Sequence, residues 1–161
     1  MISYEIRQIA HDAAGKYNLP ANLILSIIDV ESGGDPWAIR YEPAFYTRYI
    51  AGKPTKVFGS VSKETEQKAR ATSWGLMQIM GQVARERGFK GPFLSELCDP
   101  ETGIKWGCHH LDSLRSRFLD KAGWDGVAAA YNAGSPIKNK DGSFVNQGYV
   151  NKIRDAGGLN E

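Results

Sequence analysis

The chain has 161 residues, 20 of them basic and 18 acidic, for a net charge of +2; 42% are hydrophobic and 24% charged. These values fit one globular domain, residues 1–161, with a substantial core. They exclude a nucleic-acid partner argued from charge alone, and they leave an anionic polymer substrate compatible but not required.

Met1-Ile-Ser-Tyr-Glu-Ile-Arg7 has no basic start leading into an apolar run, so no signal peptide is expected. Tyr4 to Tyr17 reads as an amphipathic helix with Ile6, Ile9, Ala10 and Ala13 on one side. Pro20 opens a second helix, where its missing N–H costs nothing. That helix runs to Glu31. Its apolar stretch, around Leu23–Val30, is too short to span a membrane, so no stable membrane insertion is expected. Ile24, Ile27 and Ile28 stand at i−7, i−4 and i−3 from Glu31, which puts this carboxylate on the core-facing stripe. Loss of water there raises its pKa and suits it to general acid work. The alternative is a helix-end Glu that reaches into solvent. Ser32-Gly33-Gly34-Asp35-Pro36 stops the helix and leaves Glu31 beside an open turn.

From Trp37 to Ser73 the pattern loosens. The aromatic-rich Tyr41–Ile50 segment suggests a short helix after Pro43. Ala51–Ser60, with Gly52, Pro54 and Gly59, reads as a loop or small hairpin. Ser62–Ala71 is helical but mostly polar and is expected on the surface. Trp74–Met80 is a compact apolar run around Gln78, followed by a helix over Gln82–Arg87 that Gly88 stops. Asp99 caps a long helix to about Leu119, with Ile104, Cys108, Leu111, Leu114 and Phe118 on one face. Trp124–Asn132 forms another helix, ended by Gly134-Ser-Pro136, and Gly148–Ala156 a last short one. The predicted class is α+β, predominantly α-helical, with any small β element in the Trp37–Ser73 region. Cys98 and Cys108 lack metal-ligand spacing and are expected reduced, although one bridge is open to a protein working outside the cytoplasm. Adjacent His109 and His110 point in different directions on a helix and, with His11, are expected to pack or face solvent. No metal or nucleotide motif stands out, and no cofactor is expected.

Three polar groups break the apolar pattern beside glycine turns: Glu31-Ser32, Gln78 within Gly75–Met80, and Tyr131-Asn132 after the alanine run. Each can be a satisfied core group. Together they suggest groups that meet one another or a ligand.

Glu31-Ser-Gly-Gly-Asp-Pro-Trp-Ala-Ile39, Gly75-Leu-Met-Gln-Ile-Met80 and Ala130-Tyr-Asn-Ala-Gly134 resemble, in order, the three signature blocks of the lytic transglycosylases. The soluble-lytic-transglycosylase catalytic domain is the nearest type, and the trailing Tyr149-Val-Asn-Lys-Ile153 also fits it. The resemblance implies a lysozyme-like domain. It also implies cleavage of the MurNAc-β-1,4-GlcNAc bond of peptidoglycan, with formation of a 1,6-anhydro-muramoyl end. Glu31 would be the single acid/base, and Tyr131 would hydrogen-bond its carboxyl. Gln78 and the backbone around Met80 would line the sugar groove, and Asn132 would order the adjoining turn. Ser32 is a structural helix-end residue in this reading, not a nucleophile.

Two features depart from the family pattern. Arg40 stands where a serine commonly sits, and the link to the second block is enlarged. That insert is expected to wall the groove, with Tyr41, Phe45, Tyr46 and Tyr49 as candidates for stacking on sugars. Glu42 either supports Arg40 or Arg48, or faces the cleft and activates water, as in a hydrolytic muramidase. A third reading is a non-catalytic glycan-binding domain. The expected partner is the glycan strand and the expected state a monomer. Synthesis in the cytoplasm without a signal peptide, then release to the wall, would match a bacteriophage endolysin.

Overall fold

The computed structural model describes residues 1–160. Helix α1 spans Tyr4–Tyr17; Ser3 caps it by accepting from Ile6 N, and Asn18 in the left-handed region ends it. Helix α2 spans Ala21–Ser32 and stops at Gly33. Strand β1 (Ile39–Tyr41) leads into a short turn of helix, α3 (Pro43–Phe45), which widens into a π-turn over Tyr46–Ile50. After an irregular loop come α4 (Lys63–Arg70), β2 (Thr72–Trp74), β3 (Ile79–Met80) and α5 (Gly81–Glu86). A 3-10 turn (Leu94–Cys98) precedes α6 (Pro100–Ala133), and α7 is Gln147–Asp155. The molecule is mostly helical, with one three-stranded antiparallel sheet in the order β1-β2-β3.

Helix α2 is the axis of the core. Leu23, Ile24, Ile27 and Ile28 are all at 0% exposure, each worth roughly 1.5–3 kcal/mol of burial. They join Ile6 and Ala10 of α1 with Ile104, Leu111 and Leu114 of α6 in one apolar cluster. The alanine run of α6, Ala128–Ala130, is fully buried; these small side chains let backbones approach closely. A second cluster, Ile79, Ala84, Phe89, Leu94 and Leu97, sits under the sheet and α5.

The helices expected over 99–119 and 124–132 are two helices that meet at Gly123, whose φ of 65° and ψ of −173° are not helical, so α6 is kinked there. Of the two readings of residues 51–60, loop or hairpin, the structure has the loop. One expectation is changed. Helix α4 is not simply a surface helix, because Glu66 and Gln67 are buried. Glu66 accepts from Arg85 Nε at 2.8 Å and Nη2 at 3.1 Å, and from Arg70 Nε at 3.0 Å. Gln67 Nε2 donates to Lys53 O and Thr55 Oγ1, and Arg70 Nη2 to Lys56 O. A buried charge needs such partners, and here they fasten the loop to the domain.

The sheet has two faces that follow strand alternation. Arg40 and Ser73 point to the side of Glu31; Ile39, Tyr41, Thr72 and Trp74 line a hollow on the opposite side. Cys98 and Cys108 are both free thiols and both buried. Burial pushes the Cys108 thiol up to about 12, so it is a packing residue.

Candidate functional site

A cleft of about 400 Å³ opens over the end of α2. Glu31 lies in its wall with Gln78, Ile79 and Met80 of the β2–β3 hairpin, Tyr131 and Asn132 of α6, and Gly134, which caps α6. Arg40 on β1 and Phe45 and Tyr49 of the insert also line it, with His110 of α6. A larger hollow, about 540 Å³, lies behind the sheet among Ile39, Tyr41, Ala69 and Trp74. It also holds a carboxylate, Glu64, and a phenol, Tyr41, but the Tyr41 hydroxyl accepts from Lys68 Nζ at 3.2 Å instead of bonding the carboxylate.

Local backbone geometry fixes the site. Ser32 Oγ lies 2.8 Å from Leu76 O and 3.0 Å from Ile28 O, and it accepts from Gly34 N at 3.2 Å. This hydroxyl ties the end of α2 to the hairpin, so Glu31 and Gln78 keep a fixed separation. Gly75, at φ +67°, brings the hairpin against the 3-10 turn; a Cβ there would stand 2.5 Å from Leu97 O. Gln78 itself has φ 47°, a costly conformation for a side-chain-bearing residue. Its Nε2 donates at 2.9 Å to both Ala38 O and Gly75 O, which holds it there and joins the hairpin to the chain entering β1.

Glu31 is half-buried. Burial raises its pKa above the ordinary 4.5; the Tyr149 hydrogen bond and the charges of Arg40 and Lys152 oppose that rise without cancelling it. Tyr149 Oη donates to Glu31 Oε1 at 2.8 Å. Burial and the Glu31 charge raise the pKa of both Tyr149 and Tyr131, so each phenol keeps its proton. The group can therefore offer a proton while a neutral donor steadies the carboxylate left behind.

Several expected roles are redistributed. The phenol bonded to Glu31 is Tyr149, from α7, whereas Tyr131 donates to Met77 O at 2.6 Å. Tyr131 thus holds the hairpin, and its oxygen is committed away from the carboxyl. Asn132 lines the cleft and accepts from Asn146 Nδ2 at 2.9 Å. Of the insert aromatics, Phe45 and Tyr49 face the cleft, with ring centres 4.9 Å apart. Tyr41 and Tyr46 do not line it: Tyr41 sits at the rear hollow, and Lys68 Nζ stands 3.7 Å from the Tyr46 ring centre. Strand alternation explains Tyr41, since the neighbour of a cleft-facing Arg40 must face away. Glu42 also stays out of the cleft lining; its Oε1 is 2.6 Å from Arg40 Nε.

His110, expected to pack or face solvent, lines the cleft. Burial, then Arg87 and Arg117, lower it to about 4, so it is neutral at pH 7. Its Nδ1 accepts from Arg87 Nε at 3.3 Å, which leaves the proton on Nε2. No helical pattern marks it, because its neighbour His109 has the same residue type and a different environment, stacked on Trp106.

The sequence model of the family described as "Transglycosylase SLT domain" matches residues 8–148. The chain is also 30% identical over 112 residues to membrane-bound lytic murein transglycosylase E of Buchnera aphidicola subsp. Acyrthosiphon pisum (strain APS). That alignment covers 66% of this chain and 38% of the relative. No solved structure matches the chain at a significant level.

Proposed function

The chain belongs to the Transglycosylase SLT domain family, and we propose that it is a peptidoglycan lytic transglycosylase that uses Glu31 as its single acid/base. Protonated Glu31 gives its proton to the glycosidic oxygen as the bond from muramoyl C1 breaks. The acetamido carbonyl of the same sugar covers C1, so no second protein carboxylate is needed. The Glu31 carboxylate then takes the proton of the muramoyl 6-hydroxyl as that oxygen bonds to C1 and displaces the acetamido oxygen. Proton and electron pairs balance, and water is not consumed.

The observation that carries this reading is the half-buried Glu31 with a raised pKa, bonded to Tyr149, in a cleft that Glu42 does not line. An inverting hydrolase would need a second carboxylate to activate water, and Glu42 is turned to Arg40. Tyr149 is the positioning residue, Tyr131 and Gln78 hold the hairpin, and Met80 and Asn132 line the glycan path.

The test is mass analysis of purified peptidoglycan after digestion. Anhydro-muramoyl ends are expected from the wild type and none from Glu31→Gln. Reducing ends alone would establish a muramidase, and lysis unchanged in Glu31→Gln would remove Glu31 from the chemistry. The proposal extends to delivery as a phage endolysin. A pore-forming partner expressed with the chain should then trigger lysis, and lysis without it would refute that route.

A further inference from the structure

We propose that Arg40 is a specificity residue that binds a carboxylate of the stem peptide on the substrate strand; this rests on the peptidoglycan reading above. Arg40 lies on β1, opposite Ser73 in the sheet register, and both reach the Glu31 cleft. Its Nε is clamped by Glu42 at 2.6 Å, while 68% of the side chain is exposed. Its remaining nitrogens make no hydrogen bond to another described residue. A guanidinium held at one corner presents a flat, preorganised pair of donors, the geometry that matches a carboxylate.

The surroundings favour an anion at the same place. The Arg48 guanidinium carbon lies 5.2 Å and Lys53 Nζ 6.0 Å from the centre of the Tyr49 ring, which is itself a wall of the cleft. Glu42 is the acidic residue paired into this cationic rim. The glycan backbone is uncharged, and the carboxylates of a peptidoglycan strand sit on the peptides attached through the muramoyl lactyl group. A strand in the cleft would carry such a peptide close to the bond Glu31 cleaves. Charge complementarity thus points to the stem and away from the sugar rings.

The experiment measures anhydro-end release from three strand preparations: peptide-bearing, stripped by an amidase with the freed lactyl carboxylates then capped as amides, and bearing stems whose carboxylates are amidated. The wild type is expected to have a KM about ten-fold lower on the peptide-bearing strand, the size of a charge-assisted contact. Amidated stems should behave as stripped ones. Arg40→Ala should erase the ratio between strands, and Arg40→Lys, which keeps the charge but not the fork, should retain part of it. Removing the Arg40 charge also affects Glu31, but equally on every strand, so the ratio isolates the stem contact. A wild type without preference, or an Arg40→Ala protein that keeps the wild-type ratio, would overturn the proposal. If no strand yields anhydro ends, the enzymatic reading has failed instead. Binding of Glu31→Gln and of Glu31→Gln/Arg40→Ala to the same strands then still decides whether Arg40 reads the stem.

Discussion

Tyr149→Phe is the most informative single change. It keeps the ring that packs on the core and deletes one hydroxyl, the donor 2.8 Å from Glu31 Oε1. Hydrogen bonds to charged groups are worth about 1.5–3 kcal/mol. Glu31 and Tyr149 are both only half-buried, so the low end applies, roughly a ten-fold change in the balance between carboxylate and acid. The sign follows from the bond favouring the charged form. Without it the Glu31 pKa rises further, and the alkaline limb of the kcat/KM profile moves to higher pH. The carboxyl also loses its fixed rotamer, so the rate at the optimum falls, by about 10–100-fold for a misplacement near 1 Å. The assay is release of anhydro ends from soluble glycan strands across pH, with Tyr131→Phe measured in parallel. Tyr131 bonds Met77 O and not the carboxyl, so its loss should lower the rate through the hairpin and leave the limb nearer its wild-type position. The reasoning is refuted if Tyr149→Phe moves neither limb nor rate, or if Tyr131→Phe moves the limb further.

Glu31→Gln should be more stable than the wild type at pH 7. The folded state holds the Glu31 proton more tightly than the unfolded chain, so ionisation costs stability as pH rises from the ordinary value of 4.5 through the raised one. Thermal melts should therefore separate the two proteins at neutral pH and converge below 4.5; a constant difference would contradict the shift. Glu66→Ala strands Arg85, only 3% exposed at its side chain, and should cost about 3–5 kcal/mol in urea unfolding; a loss below 1 kcal/mol would show that Phe89 O and Gly91 O suffice for Arg85. Tyr49→Ala should raise KM for glycan several-fold, by loss of about 1 kcal/mol of stacking, whereas Tyr46→Ala should not; equal effects would mean that the cleft wall extends beyond Phe45 and Tyr49.

The helices were legible where an apolar period ran uninterrupted. Tyr4–Tyr17 and the end of α2 at Glu31-Ser32 follow directly from their stripes and caps. The polar interruptions at Glu31, Gln78 and Tyr131 were legible too, because a polar residue within an apolar run needs a partner. Which partner it takes was not legible. Tyr149 reaches Glu31 from 118 residues away, by the packing of α7 on α2, and no local spacing encodes that. Glu66 reads as a solvent carboxylate until α5 brings Arg85 against it, beside Arg70 of its own helix. The insert aromatics were legible as a class. Their sides depend on alternation along β1 and on the π-turn, and the sequence marks neither.

The way β1 is held has a consequence for how the cleft can change. Gly75 N donates to Ala38 O at 2.8 Å, and Glu42 N to Ala71 O at 2.9 Å, so the strand is pinned to β2 at both ends. A slip of one residue would send Arg40 to the rear hollow and turn Ile39 and Tyr41 toward Glu31, and these two bonds oppose it. The segment between Glu42 and Ala71 begins and ends on the same rung of the ladder. Its first part, residues 43–62, can therefore be exchanged as a cassette, longer, shorter or differently charged, while α4 stays to give Glu66 to Arg85 and Glu31, Gln78 and Tyr149 keep their places. On the proposed function, substrate preference and acid–base geometry are then separable, and a chimaera carrying a foreign 43–62 segment would change the first while conserving the second.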